Sequence, residues 1–277
     1  MTGSTPSDSI AIAPPTALQQ TVIRLLLIPL LVYCAWLVEI FLLEGNQALF
    51  LAPATLPLAL YTVIGCILTG MLIPVLIIRR SFLSGAVNMF QVGFRSLRRT
   101  VVACTLTGVA CYLIAILMTP ADPSRLTLPG LFLLYLPTGI AAAMVCWVLT
   151  GTHIQALVRS GGATASIPIG IVITAILFGL TTRVHTPATG LPDPLGTGIL
   201  LGIIVALFFF AVRDVYSTSI VLTTGMVLLF SGRTGQGIPE NLFPGVVFCA
   251  LLAVCALLAI HGYFSRNYAT VIVVPDS

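Results

Sequence analysis

The charged residues of this chain lie almost entirely at the joints between long apolar runs, which start after Arg24 and end at Gly262. Only 7% of the residues are charged, whereas a soluble domain usually needs about a quarter to cover its surface. A run of about 20 apolar residues is long enough to cross a lipid bilayer as a helix. The sequence therefore predicts an all-α, polytopic transmembrane helical bundle of about eight spans. The predicted spans are 25–43, 57–78, 101–118, 129–150, 165–181, 197–212, 215–230 and 242–262.

The arginines are divided unequally between the two sides of this predicted bundle. Threading the spans puts nine of the 12 basic residues, all of them arginines, on one side. Because cytoplasmic loops carry the excess of basic residues, both termini are predicted to be cytoplasmic, in a multi-pass protein of the cell membrane. The expected organisation is a flexible cytoplasmic tail (1–20), a single transmembrane domain (21–262) and a second cytoplasmic tail (263–277).

Residues 81–99 follow a different pattern, in which apolar residues recur at spacings of three and four. This spacing predicts one amphipathic helix that lies in the cytoplasmic headgroup region, with Phe90 and Phe94 at the acyl boundary. The segment either docks lipid or a partner, or is only a connector that satisfies the positive-inside bias. The basic cluster that belongs to this membrane surface is Arg79, Arg80, Arg95, Arg98 and Arg99.

Composition narrows the expected partners. The net charge of +4 comes from arginines beside membrane segments, which indicates attraction to anionic lipid headgroups and no nucleic acid partner. All seven cysteines lie within apolar runs without a C-x-x-C pair, so they are expected to be buried thiols. The lipid bilayer is the expected partner, with another membrane protein as an open alternative. No cofactor and no metal ligand is predicted.

Polar side chains inside the spans are the candidate binding residues, because each one costs free energy in a bilayer. Glu39 lies within the first span and is either a proton or cation site or an interfacial carboxylate that reaches water. Hydroxyl groups cluster in the fourth, fifth and seventh runs, where they either form a polar seam between helices or bond their own backbones. The candidate residues of this polar seam are Glu39, Cys146, Thr150, Thr182, Ser219, Thr223 and Thr224.

The three histidines do not point to a shared site. His153 and His261 follow spans that end on the cytoplasmic side, whereas His185 is expected in an outer loop. A metal site that uses all three is therefore physically implausible. The sequence contains no H-E-x-x-H, G-x-S-x-G or Walker-type motif, and no catalytic residue is predicted.

One stretch of the chain has a recognisable layout. A helix that ends in 145–151 is followed by a turn at 157–162, a helix with Phe178 and Thr182, and a later helix with Thr224. This layout resembles the core of the CPBP family, the CAAX-protease-like intramembrane metalloproteases. The resemblance covers about a third of the chain, from Leu136 to Phe230, and implies the fold of such a protease for this part.

The resemblance does not extend to the residues that hold the metal in that family. Where its members have paired glutamates and histidines, this chain has Val145, Cys146, Thr182 and Thr224. A catalytic zinc ion needs about three protein ligands of the His, Cys or carboxylate type. The resemblance therefore implies an inactive relative that keeps the fold as a scaffold or binding module.

The sequence leaves three functional hypotheses. The first is a non-catalytic membrane protein that acts as a scaffold, an assembly partner or a lipid- or peptide-binding module. The second is a transporter or channel for a small solute, which would use Glu39 and the polar seam. The third is an intramembrane protease with an unfamiliar site, which is disfavoured because no acid, base and nucleophile converge. A water-accessible cavity that reaches Glu39 would favour transport, and a lipid-facing groove on a packed bundle would favour the first hypothesis.

Overall fold

A computed structural model describes residues 17–44, 48–51, 53–118, 127–185, 191–230 and 240–268. The described residues form helices and no strand, which confirms the all-α prediction. The predicted cytoplasmic location of the termini concerns residues 1–16 and 269–277, which lie outside the described ranges. We number the helices α1 (17–44), α2 (Ala48–Leu51), α3 (Thr55–Leu83), α4 (Met89–Val92), α5 (Leu97–Met118), α6 (127–157), α7 (Gly162–Val184), α8 (Pro194–Val212), α9 (Val215–Phe230) and α10 (Phe243–Tyr268).

Among the described residues, seven helices are long and apolar enough to cross a membrane, and α9 is an eighth apolar helix of 16 residues. The protein is therefore a multi-pass membrane protein built as a helical bundle. The described helices extend beyond the predicted transmembrane domain of 21–262, since α1 begins at Ala17 and α10 ends at Tyr268.

Helix α6 is the central element of the bundle. Every residue from 137 to 155 is buried, and α1, α3, α7, α9 and α10 all pack against this helix. A helix that is apolar on all faces must be surrounded by other helices or by lipid. Here other helices surround it, so the middle of the bundle is filled by the side chains of α6.

Helices α7 and α8 pack closely through small residues. A Cβ atom added to Gly198 would lie 2.5 Å from Oγ1 of Thr182, and one added to Gly202 would lie 2.9 Å from Cα of Ala175. Small residues let two helix backbones approach in a membrane, where dispersion contacts rather than the hydrophobic effect drive association. The Gly198 and Gly202 pair, spaced by four residues, therefore sets the α7–α8 contact.

The predicted amphipathic helix at 81–99 is wrong as a continuous element. Helix α3 ends at Leu83, and the chain then turns, forms the four-residue α4 and enters α5 only at Leu97. Gly85 and Gly93 interrupt the helical path with φ values of +68° and +87°, which only glycine adopts readily. Phe90 is exposed as expected, but Phe94 is buried and stacks on Phe264 of α10.

Helix α5 is the least buried of the seven long spans. It packs mainly against α9, with apolar side chains such as Leu106, Val109 and Leu117 exposed on its outer face. In a membrane this face contacts lipid. The peripheral position of α5 leaves space between it and α6.

Candidate functional site

An apolar groove lies between α5, α6 and α9, with a volume of about 430 Å³. It exists because α5 presents small side chains to this space, and a Cβ added to Gly108 would meet no atom within 4 Å. The groove is open along one side, where α5 faces the surroundings of the bundle. Its lining residues are Gly108, Cys111, Tyr112, Ala115, Leu128, Pro129, Phe132, Leu133, Ile220, Thr224 and Val227.

The groove offers few polar groups to a ligand. The Cys111 thiol lies beside the Thr224 hydroxyl, and both are small neutral groups. The phenol ring of Tyr112 is more than half exposed at the edge of the groove. A ligand pocket usually has a volume of about 300–1,000 Å³ and a mostly apolar lining. The groove falls in this range and fits an apolar chain rather than a charged solute.

A second candidate site is a buried ionisable pair. Glu44, the last residue of α1, and His185, the residue that follows α7, are 1% and 3% exposed. Nδ1 of His185 contacts Oε1 of Glu44, and the Tyr61 hydroxyl donates to the same oxygen at 3.2 Å. The hydroxyls of Tyr61 and Thr138 lie 3.1 Å apart. Residues from α1, α3, α6 and the end of α7 therefore meet in one polar cluster.

Aromatic rings enclose this pair. The Phe50 ring lies edge-on to Tyr61 and His185 and stacks on Tyr135, while Phe230 contacts the rings of Tyr135 and His185. Two buried polar atoms of the cluster, Nε2 of His185 and the hydroxyl oxygen of Tyr135, have no hydrogen-bond partner among the described residues. A small cavity of about 10 Å³ adjoins His185.

The opposite end of the bundle holds most of the described arginines and a polar joint between α8 and α9. Arg213 there has a φ of +55°, the left-handed region, and its guanidinium is buried. Its Nη2 donates to Oε1 of Gln155 at 2.7 Å and its Nη1 to the carbonyl of Gln91 at 3.2 Å. Burial, and next the nearby Arg95 charge, lower the pKa of the Arg213 guanidinium to about 10, so it stays charged at neutral pH.

Asp214 completes this polar joint. Its carboxylate accepts from the backbone N–H of Ser217 at 2.8 Å, from the Ser217 hydroxyl at 2.9 Å and from the Thr100 hydroxyl at 2.9 Å. An aspartate that accepts from the third residue of a helix is an N-cap, which satisfies otherwise unpaired N–H groups. The Asp214 carboxylate therefore caps the N-terminus of α9 and also hydrogen-bonds to α5, so its role here is structural.

The structure does not bring the predicted seam residues into one cavity. Thr150, Thr182 and Ser219 donate to carbonyl oxygens of their own helices. This arrangement matches the alternative in which hydroxyls bond their own backbones.

The other seam residues lie in separate places. Cys146 contacts Thr181, and Thr224 lines the groove. Thr223 is buried, with no partner for its hydroxyl among the described residues. Glu39 is half-buried on α1 and lines neither the groove nor the small cavity.

Four members of the predicted basic cluster behave as expected of surface residues. Arg79, Arg80, Arg98 and Arg99 are exposed at the same end of the bundle. Arg95 differs, because its Nε donates to the carbonyl of Arg213 at 2.9 Å and its guanidinium lies over the Phe90 ring. Arg95 thus holds the 91–95 segment against the α8–α9 joint.

Sequence reasoning missed the Glu44–His185 pair. His185 follows the end of α7, as expected for the outer loop, but its side chain is buried against Glu44 rather than exposed. The predicted topology does contain one indication of this pair. It places the end of the first span, near Glu44, and the end of the fifth span, near His185, on the same side of the membrane. The other two histidines pack separately, His153 against Ser81 and His261 against Tyr216.

Within the described ranges, no three His, Cys, Asp or Glu side chains are grouped so that they could hold a metal ion. No protein-family model matches the chain, and neither the curated proteins nor the solved structures include a match. The resemblance to the CPBP family stays a prediction.

Proposed function

We propose that this protein is a non-catalytic membrane protein that binds a lipid acyl chain in the groove between α5, α6 and α9. The observation that carries the proposal is the groove itself, which is apolar, about 430 Å³ in volume and open beside a peripheral span. The interior of the bundle around α6 is filled by side chains. Binding at the lipid-facing surface therefore has more structural support than passage through the centre.

The size and position of the groove favour an acyl chain as the occupant. Gly108, Cys111 and Ala115 of α5 leave a channel along the helix, and Phe132 and Val227 form its opposite walls. Lipid tails are as apolar as this lining, so transfer from the bilayer gains little hydrophobic free energy. The gain comes from dispersion contacts with walls that otherwise lack partners, which makes binding depend on fit.

The transporter hypothesis has less support. It needs Glu39 and the polar seam in one water-accessible cavity, whereas the hydroxyls of Thr150, Thr182 and Ser219 bond their own helices. The proposal also agrees with the interpretation that the protein is an inactive relative of the CPBP family. In that interpretation the family fold would serve binding, with Cys146 and Thr182 in place of metal-holding side chains.

The test is photo-crosslinking of the full-length protein in vesicles that contain a phospholipid with a diazirine on its acyl chain. We expect crosslinks on α5, α6 and α9 residues of the groove. Gly108→Leu fills the groove and is compatible with a helix, and Ala110→Leu adds a similar side chain on the exposed face of α5. Because the leucine side chain takes up space that the acyl chain would occupy, Gly108→Leu should lower crosslinking in the groove by about tenfold or more, which corresponds to about 1.4 kcal/mol of binding free energy.

The Ala110→Leu control should crosslink in the groove like the wild type. Equal crosslinking in the two variants would contradict the proposal. So would wild-type crosslinks that are as frequent at Leu106 and Leu117, on the outer face of α5, as in the groove, because ordinary lipid contact would then explain them.

A further inference from the structure

The Glu44–His185 pair lies at the end of the bundle opposite most of the described arginines, and its histidine differs from the other two in its hydrogen bonds. In His153, Nε2 lies 2.7 Å from the Ser81 hydroxyl and Nδ1 lies 2.7 Å from the Leu149 carbonyl. In His261, Nδ1 and Nε2 lie 3.1 and 2.8 Å from the Tyr216 hydroxyl and the Arg95 carbonyl. In His185, Nδ1 contacts Glu44 but Nε2 has no partner among the described residues.

A histidine whose only role is structural gains by pairing both ring nitrogens, because a buried polar atom without a partner costs about 1–3 kcal/mol. The first two histidines follow this rule. Within the described ranges His185 does not follow it, although it is 3% exposed and lies among aromatic rings. The unpaired nitrogen is the feature that needs an explanation, and the cavity beside His185 provides one.

We propose that Glu44 and His185 form a proton-binding site, in which Nε2 of His185 takes up the proton and a single water molecule in the adjoining cavity contacts it. The cavity volume of about 10 Å³ is at the lower limit for one water molecule. Thr138, Thr181 and Thr182 line the same cavity and supply further hydroxyl groups for that water.

The hydrogen bonds assign the proton to Nε2. An ionised carboxylate only accepts hydrogen bonds, and Oε1 of Glu44 already accepts from the Tyr61 hydroxyl. Nδ1 of His185 therefore donates to Glu44 and keeps its hydrogen. A hydronium ion of the solvent then gives up one proton to the lone pair of Nε2, which leaves a neutral water molecule and converts the imidazole to imidazolium. No bond between heavy atoms forms or breaks, and the Glu44 carboxylate neutralises the new charge.

The neighbouring titratable groups do not replace this carboxylate. Tyr61 and Cys66 of α3 and Tyr135 of α6 face the pair from the elements packed against it. Tyrosine and cysteine side chains are ordinarily neutral at pH 7. Phe50 and Phe230 add apolar surface, which strengthens the electrostatic coupling between imidazole and carboxylate.

The site connects proton uptake to the packing of the bundle. Glu44 ends α1, and His185 follows α7, so protonation replaces a neutral imidazole by an ion pair between these two helices. Tyr33 of α1 makes a second link to α7, since its hydroxyl donates to the Leu177 carbonyl at 2.7 Å. Protonation should therefore strengthen a contact that already exists.

The test is NMR of the full-length protein with ¹⁵N-labelled histidine in detergent micelles, since the ring nitrogen shifts report which nitrogen carries hydrogen. The chain has three histidines, so His153 and His261 serve as internal references. The pH is lowered from about 8 to 5, the range in which imidazoles ordinarily change charge. We expect Nε2 of His185 to gain a proton reversibly while Nδ1 stays protonated.

Two Glu→Gln variants distinguish the effect of the Glu44 carboxylate from the effect of removing any carboxylate from α1. Glu44→Gln removes the carboxylate that stabilises the imidazolium and should move the His185 midpoint to lower pH. Glu39→Gln makes the same change on the same helix and should leave the midpoint unchanged. If Glu44→Gln does not fold, Tyr61→Phe removes a donor to Glu44 and should move the midpoint to higher pH. A His185 that does not titrate, or a midpoint that ignores Glu44 and Tyr61, would overturn the proposal.

Discussion

Replacement of Gly202 by alanine should destabilise the bundle, because α7 and α8 meet there without a side chain between them. The added Cβ would lie 2.9 Å from Cα and 3.0 Å from the carbonyl oxygen of Ala175. Both are backbone atoms, so no side-chain rotation relieves the contact and the helices must move apart. Overpacking typically costs about 1–3 kcal/mol, and alanine regains up to about 1 kcal/mol over glycine in a helix. We therefore expect a net loss of about 1–2 kcal/mol.

The matched control is Gly262→Ala in α10, where an added Cβ would meet no atom within 4 Å. This variant should be as stable as the wild type or slightly more stable. Thermal unfolding of the purified protein can be followed with a thiol-reactive dye, because Cys66, Cys146 and Cys249 are buried and become reactive on unfolding. A loss of about 1–2 kcal/mol corresponds to a melting temperature lower by roughly 2–8 °C.

The outcome that would refute this reasoning is a Gly202→Ala protein that melts at the same temperature as Gly262→Ala. The α7–α8 contact would then tolerate a methyl group, and the close approach of the two helices would not be a property of the folded protein. If both variants melted at a lower temperature than the wild type, the loss would come from replacing a helical glycine in general and not from the α7–α8 contact. That result would also contradict the packing argument.

Two further predictions concern the ends of the bundle. Single cysteines placed at positions 3 and 274 of a cysteine-free variant should react with a membrane-impermeant reagent only from the cytoplasmic side, and labelling of either from outside intact cells would reverse the topology. Asp214→Ala should lower the free energy of unfolding by about 2–4 kcal/mol, because it removes an N-cap and leaves the Thr100 hydroxyl unpaired. Asp193→Ala, which removes the exposed N-cap of α8, should cost only about 1 kcal/mol in the same denaturation assay, and equal losses would contradict the buried role of Asp214.

The spans could be predicted from the sequence because lipid imposes a simple rule on every crossing segment. Apolar length alone located the helices. The segment 81–99 has the apolar spacing of a helix but does not form one, because two of its glycines adopt positive φ values. Gly85 and Gly93 are the residues that break the helix, and both were visible in the sequence.

The candidate sites were harder to predict because they depend on which helices are neighbours. Glu44 and His185 are 141 residues apart in sequence, and only the order of helices around α6 brings them into contact. The groove exists because there is open space beside Gly108. No local sequence pattern around Gly108 encodes that space. Conversely, the hydroxyls of Thr150 and Thr182 suggested a shared site but are satisfied within their own helices.

The weak attachment of α5 has a consequence for how the protein would choose among lipids. Because α5 packs mainly on α9 and exposes most of its surface, its distance from α6 can change without disturbing the filled centre. Segments with few buried contacts open at a lower free energy than the core. A groove with one movable wall can adjust its width to the bound acyl chain. Such a groove would discriminate between acyl chains by their length along the helix more than by their thickness. The other wall, formed by α6, would keep the same shape whichever acyl chain is bound.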